Sequence, residues 1–137
     1  ENAATTPIEQ ELSIDDYKGN RLIITLPGAG GFCNKEIDLI KENEEKFKAA
    51  GADEIIVIVG TDILSNAGRG LPNLLQDVSQ EFGNSNNLTL KGVKSRYLNR
   101  AVIAVDGNGE QVAREDAELL GCRTLDGLLD VSKKAFL

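Results

Sequence analysis

Cys33 and Cys122 carry the most reactive side chains of this 137-residue chain, which contains no histidine. Without histidine, Ser-His-Asp and Cys-His catalysis and ordinary His-based zinc sites are excluded. The two cysteines are separated by 88 residues and nothing resembles paired C-x-x-C ligands, so a structural zinc site is not indicated. Thiol chemistry, carboxylate chemistry or no chemistry remains. Cys33 follows an apolar run and the turn Pro27-Gly28-Ala29-Gly30-Gly31, and it stands in or just before the first turn of a predicted helix. Unpaired backbone N–H groups and the positive end of the helix dipole favour an anion there. Such a setting can lower a thiol pKa from about 8.5 to roughly 3.5–7.5 and make the sulfur nucleophilic at neutral pH. Position alone is equally compatible with a small buried hydrophobe.

The elements around Cys33 follow from hydrophobic patterning. Arg21-Leu-Ile-Ile-Thr-Leu26 and residues 55–59 are short β-branched runs of the kind buried on both sheet faces. Between them, residues 34–50 carry Ile37, Ile40 and Phe47 at helical spacing, and Gly51 follows as a stop. Strand, helix and strand of these lengths imply a parallel pair with a right-handed crossover. Farther on, strands at 101–105 and 111–113 flank Asp106-Gly107-Asn108-Gly109, a hairpin turn, so the sheet is expected to be mixed. Weaker signals predict a short helix at 62–67, a strand at 71–75 and a helix at 78–82 closed by Gly83. A last helix is predicted over 124–135 with Thr124 or a neighbour as cap. Residues 1–11 lack apolar periodicity and read as a flexible or loosely docked arm. Residues 12–137 form one α/β domain with a β-α-β half and a β-β-α half, the order of the thioredoxin-like fold, a central mixed sheet flanked by helices.

Composition narrows the partners. Hydrophobic residues make up 41% and charged residues 27%, as in globular proteins, and no apolar run approaches the ~20 residues that span a bilayer. The formal charge of −7 opposes a phosphate backbone, and the basic residues are interleaved with acids, so nucleic acid is not an expected partner. Glu1-Asn2-Ala3-Ala4 at the start leaves the compartment open between an organellar protein relieved of a targeting segment and a cytoplasmic one.

The stretch Leu22-Ile-Ile-Thr-Leu-Pro-Gly-Ala-Gly-Gly-Phe-Cys-Asn-Lys-Glu36 resembles the peroxiredoxins, and in particular their atypical two-cysteine, type 5 branch. The matching residues are Pro27-Gly28-Ala29 and Cys33-Asn34-Lys35. Leu74-Leu75-Gln76-Asp77 with Glu81-Phe82-Gly83 is similar to a later family segment, and Arg100-Ala-Val-Ile-Ala-Val-Asp106-Gly107 to the strand that opens with the family's active-site Arg. The resemblance implies a thiol peroxidase with Cys33 as the peroxidatic nucleophile that becomes a sulfenic acid. Arg100 would stabilise thiolate and peroxide, and Pro27 would shape the pocket. Cys122 would be the resolving cysteine that forms an intramolecular disulfide with Cys33. Hydroperoxides and a thioredoxin-like reductant are the implied partners, without a cofactor or metal, and the chain could act as a homodimer or within a larger assembly.

This sequence departs from the family pattern in the loop before Cys33. From Pro27 to Cys33 the spacing is one residue shorter than the family motif, and Gly30 stands where the family has Thr or Ser. No hairpin is legible before Leu12. These departures motivate a second reading, a redoxin-like structural or interaction subunit whose peroxide pocket has decayed. Two lesser motifs dissolve on inspection. The turn at 27–31 lacks the G-x-G-x-x-G and Gly-Lys-Ser/Thr patterns of phosphate loops, and Asp106-x-Asn108-x-Glu110 lacks the Gly and the closing acid of a calcium loop.

Overall fold

A computed structural model of the chain describes residues 3–5, 11–13, 16–26, 31–60, 74–76, 81–88, 98–117 and 124–137. Its strands are β1 (Ala3–Thr5), β2 (Glu11–Ser13), β3 (Arg21–Leu26), β4 (Glu54–Val59), β5 (Leu74–Gln76), β6 (Arg100–Val105) and β7 (Gln111–Ala117). The helices are α1 (Gly31–Glu42), α2 (Glu44–Ala49), α3 (Glu81–Ser85) and α4 (Leu125–Phe136). The strands form one mixed sheet in the order β2-β1-β5-β4-β3-β6-β7. β3 runs parallel to β4 and antiparallel to β6, and β7 closes the edge beside β6. The expected thioredoxin-like arrangement is present, with β3-α1-α2-β4 as one half and β6-β7-α4 as the other.

Every residue of β3 and β6 is buried, which is why both read as mainly apolar runs without polar–apolar alternation. Leu22, Ile24 and Leu26 face Ile37, Ile40 and Phe47 of the first two helices and Leu128, Leu129 and Val131 of α4. The alternate residue Ile23 joins Ile56, Ile58, Ile103, Phe82 and Leu88 on the other side. Two apolar layers thus enclose the sheet, and the period of two along each strand decides which side chain meets which layer.

Several boundaries differ from the sequence expectations for local reasons. The helix predicted over 34–50 begins three residues earlier, at Gly31, and is divided at Asn43, whose side-chain amide donates to the Leu39 carbonyl at 2.8 Å. That bond competes with regular helical pairing. The helix closed by Gly83 on sequence instead runs through it. It ends where Asn87 takes a left-handed φ of 58° and the Leu88 N–H bonds back to the Gly83 carbonyl at 2.7 Å. β7 extends to Ala117, four residues beyond 113, because the sheet edge lets polar residues pair through their backbone. A strand, β1, lies inside residues 1–11 and pairs antiparallel with β2, where no hairpin was legible, since three residues are too few to display a period. The predicted helix at 62–67 lies outside the described residues, as do residues 71–73 of the strand expected at 71–75.

At the end of the sheet where β3 begins, Tyr17 is half-buried against the Phe82 layer. Burial first, and then the charges of Glu54 and Asp16, push its phenol above the ordinary value of 10.0. A raised folded-state pKa gives stability that is complete below the unfolded pKa and is lost as pH rises through the folded one. Urea midpoints measured from about pH 9 to about pH 11 should therefore fall, and Tyr17→Phe should flatten part of that slope. An identical slope in the variant would exclude Tyr17 as its source.

Candidate functional site

Three chain segments meet at the carboxyl end of β3. β3 ends at Leu26, α1 starts at Gly31, and antiparallel β6 begins with Arg100, one position before the Thr25↔Ala101 pair. The carboxyl end of parallel strands is the place where open α/β sheets bind their ligands. Cys33 is the third residue of α1, so its backbone belongs to the first turn of the helix. The helix dipole and the unpaired N–H groups of that turn favour negative charge.

Arg100 is 2% exposed and Glu36 is fully buried, and they are joined by an ion pair of 2.7 Å from Nη1 to Oε1. Arg100 shares its strand parity with Val102 and Ala104, which pack toward α1, α2 and α4. Glu36 stands one turn after Cys33 on α1, and residues three apart on a helix are surface neighbours. A buried guanidinium is thereby tied to the residue one helical turn after Cys33. Desolvating two charges is costly, and removal of either partner alone leaves the other uncompensated, so the pair constrains the site more than it stabilises the fold.

Of the residues expected from sequence, Cys33 and Arg100 are brought to the same end of the sheet. Pro27 and Cys122 lie outside the described residues. Glu36 did not emerge from sequence reading, although a signal was present. An acidic residue sits at the edge of the apolar stripe of Ile37, Ile40 and Phe47, where a charge demands a partner. Among the described residues there is no group of three or more Cys, Asp or Glu that could hold a metal ion, and no helix long and apolar enough to cross a membrane.

No protein-family model matches the chain, and no curated protein is significantly similar to it in sequence. Solved structures do match. The reduced 2-Cys peroxiredoxin of Plasmodium vivax superposes with a TM-score of 0.72 at 18% identity, covering 96% of this chain and 75% of the other. The mitochondrial 2-Cys peroxiredoxin of Plasmodium falciparum gives 0.74 at 13% identity over 97% and 87%. At the level of fold the chain is peroxiredoxin-like. A mutant of the peroxiredoxin 6 of Arenicola marina gives a TM-score of 0.75 at 15% identity over 96% of this chain and 69% of that one. The peroxiredoxin fold thus accounts for nearly the whole chain. Identities this low carry the fold alone, and the chemistry rests on the residues themselves.

Proposed function

We propose that the chain is a thiol-dependent peroxidase that reduces hydrogen peroxide or alkyl hydroperoxides through Cys33, in the manner of the atypical two-cysteine peroxiredoxins. The observation that carries this reading is the buried Arg100 guanidinium held by Glu36 one helical turn from Cys33. In the first step the Cys33 thiolate attacks the terminal peroxide oxygen, the O–O bond breaks, and the alkoxide or hydroxide leaves with a proton from solvent. The product is the Cys33 sulfenic acid. Arg100 favours the thiolate and the charge that develops on the departing oxygen, since charge-assisted bonds to oxyanions are among the strongest a side chain makes. Glu36 holds the guanidinium in place. Cys122 then attacks the sulfenic sulfur, an S–S bond forms, and water is released. An external dithiol of the thioredoxin type restores both thiols by exchange and is itself oxidised to a disulfide. By the family resemblance, Pro27 would shield the pocket and shape the loop.

Gly30 bears on speed. In the family the Thr or Ser at that place supplies a preorganised donor, and loss of one such donor costs about 2.7–4 kcal/mol of transition-state stabilisation. Slow turnover is therefore expected. Incubation with stoichiometric hydrogen peroxide, followed by thiol counting and mass spectrometry, tests the reading. A Cys33 sulfenic acid or a Cys33–Cys122 disulfide is the expected product, and both thiols persisting unmodified would refute the peroxidase and favour the decayed subunit.

A further inference from the structure

Thr25 is a fully buried polar residue that the proposed chemistry does not use. It shares strand parity with Ile23, on the sheet face of the Phe82 layer, whereas Arg100 belongs to the face of α1. Its hydroxyl accepts a hydrogen bond from the Ala101 N–H at 2.8 Å and lies 2.8 Å from the Asn99 carbonyl, to which it donates. Asn99 and Ala101 are the two neighbours of Arg100. A single hydroxyl thus spans the backbone on both sides of the arginine. Asn99 adds to the hold, because its Oδ1 accepts from the Arg100 N–H at 3.1 Å and its own N–H bonds the Leu88 carbonyl at 2.8 Å.

We propose that Thr25 is a positioning residue for Arg100, locking from the opposite face of the sheet the strand end from which the guanidinium reaches Glu36, one helical turn after Cys33. The kinetic consequence rests on the peroxidase reading, and the geometric consequence stands apart from it. β6 begins at Arg100, which pairs with Ala117 of β7, but on the β3 side the register ends one residue later, at Thr25↔Ala101. A β-branched hydroxyl side chain combines a stiff χ1 with a donor and an acceptor, and it can therefore fix an irregular strand start where an apolar isostere cannot. Misplacement of a charged group by about 1 Å can cost on the order of a hundredfold in rate.

Thr25→Val keeps the volume and removes both bonds, Thr25→Ser keeps them, and Thr25→Ala repeats the removal should the Val variant not fold. Ser132→Ala serves as the control, since the Ser132 hydroxyl is also fully buried but bonds the Ala50 carbonyl on α2's far end, away from Cys33. Two readouts are taken: the guanidinium N–H resonances of Arg100, assigned with Arg100→Lys, and the rate at which hydrogen peroxide oxidises Cys33. Removing the hydroxyl should abolish the protected resonances and slow oxidation roughly ten- to a hundredfold. Thr25→Ser should restore both, and Ser132→Ala should leave both unchanged. Protected resonances that survive in Thr25→Val or Thr25→Ala overturn the proposal, as does their equal loss in Ser132→Ala. If wild-type Cys33 is inert to peroxide, the peroxidase reading fails and the resonances alone decide the role of Thr25.

Discussion

Arg100→Met should destabilise the fold by about 3–5 kcal/mol and at the same time remove most of the reactivity of Cys33 toward peroxide. The stability loss comes from Glu36, whose fully buried carboxyl group is left uncompensated when the guanidinium 2.7 Å away is removed. On the peroxidase reading, the reactivity loss comes from the thiolate and the leaving oxygen, which would lose the cation that favours them. These two effects separate in a double variant. Glu36→Leu combined with Arg100→Met replaces an ion pair with apolar groups, an exchange that is often neutral or stabilising. Denaturant midpoints should return toward wild type in the double variant while peroxide reactivity stays low. Recovery of reactivity together with stability would mean that Arg100 serves the fold alone. Arg100→Lys retains the charge but not the planar fork, and it should fall between wild type and Met in both measurements.

Cys33→Ser should consume no hydroperoxide above the uncatalysed background, because a serine hydroxyl near neutral pH is neither ionised nor oxidisable to a sulfenic acid. The companion variant Cys122→Ser distinguishes nucleophile from resolving thiol. With Cys33 intact and no second sulfur to condense with, oxidation should halt after one equivalent of peroxide. The sulfenic acid should then be trappable with a carbon nucleophile and detectable as an added mass on the peptide carrying Cys33. Steady turnover by Cys122→Ser with a dithiol would remove Cys122 from the cycle, and residual consumption by Cys33→Ser would displace Cys33 as the nucleophile.

The fold was largely legible because its central strands are buried on both faces. Arg21–Leu26 and the run ending at Val59 needed no alternation to be recognised, and Gly51, with a φ of 102°, marked the end of the helical segment between them. Edges and interruptions were less visible. β7 is largely solvent-facing, and its Gln-Val-Ala-Arg-Glu-Asp-Ala sequence pairs through backbone groups that no residue pattern announces. Asn43 divides the α1–α2 segment through a side-chain bond that propensity alone does not foresee. The site was half legible. Cys33 stands out from residue type and local setting and Arg100 only through the family resemblance, while the partner of Arg100 lies 64 positions away. A pairing over that separation is decided by the antiparallel insertion of β6 beside β3, which a local window cannot contain.

That same separation governs the order in which the molecule acquires its chemistry. β3, α1, α2 and β4 follow one another directly and can associate through contacts close in sequence, whereas the Thr25↔Ala101 pairing closes 76 positions. Long-range strand insertion is slow compared with helix formation. On the proposed reading, the helix carrying Cys33 would form on a refolding or nascent chain before the guanidinium arrives, and in that interval Cys33 would lack the cation. On that reading, arrival of β6 would supply it. Peroxide reactivity would then serve as a clock for the completion of the sheet.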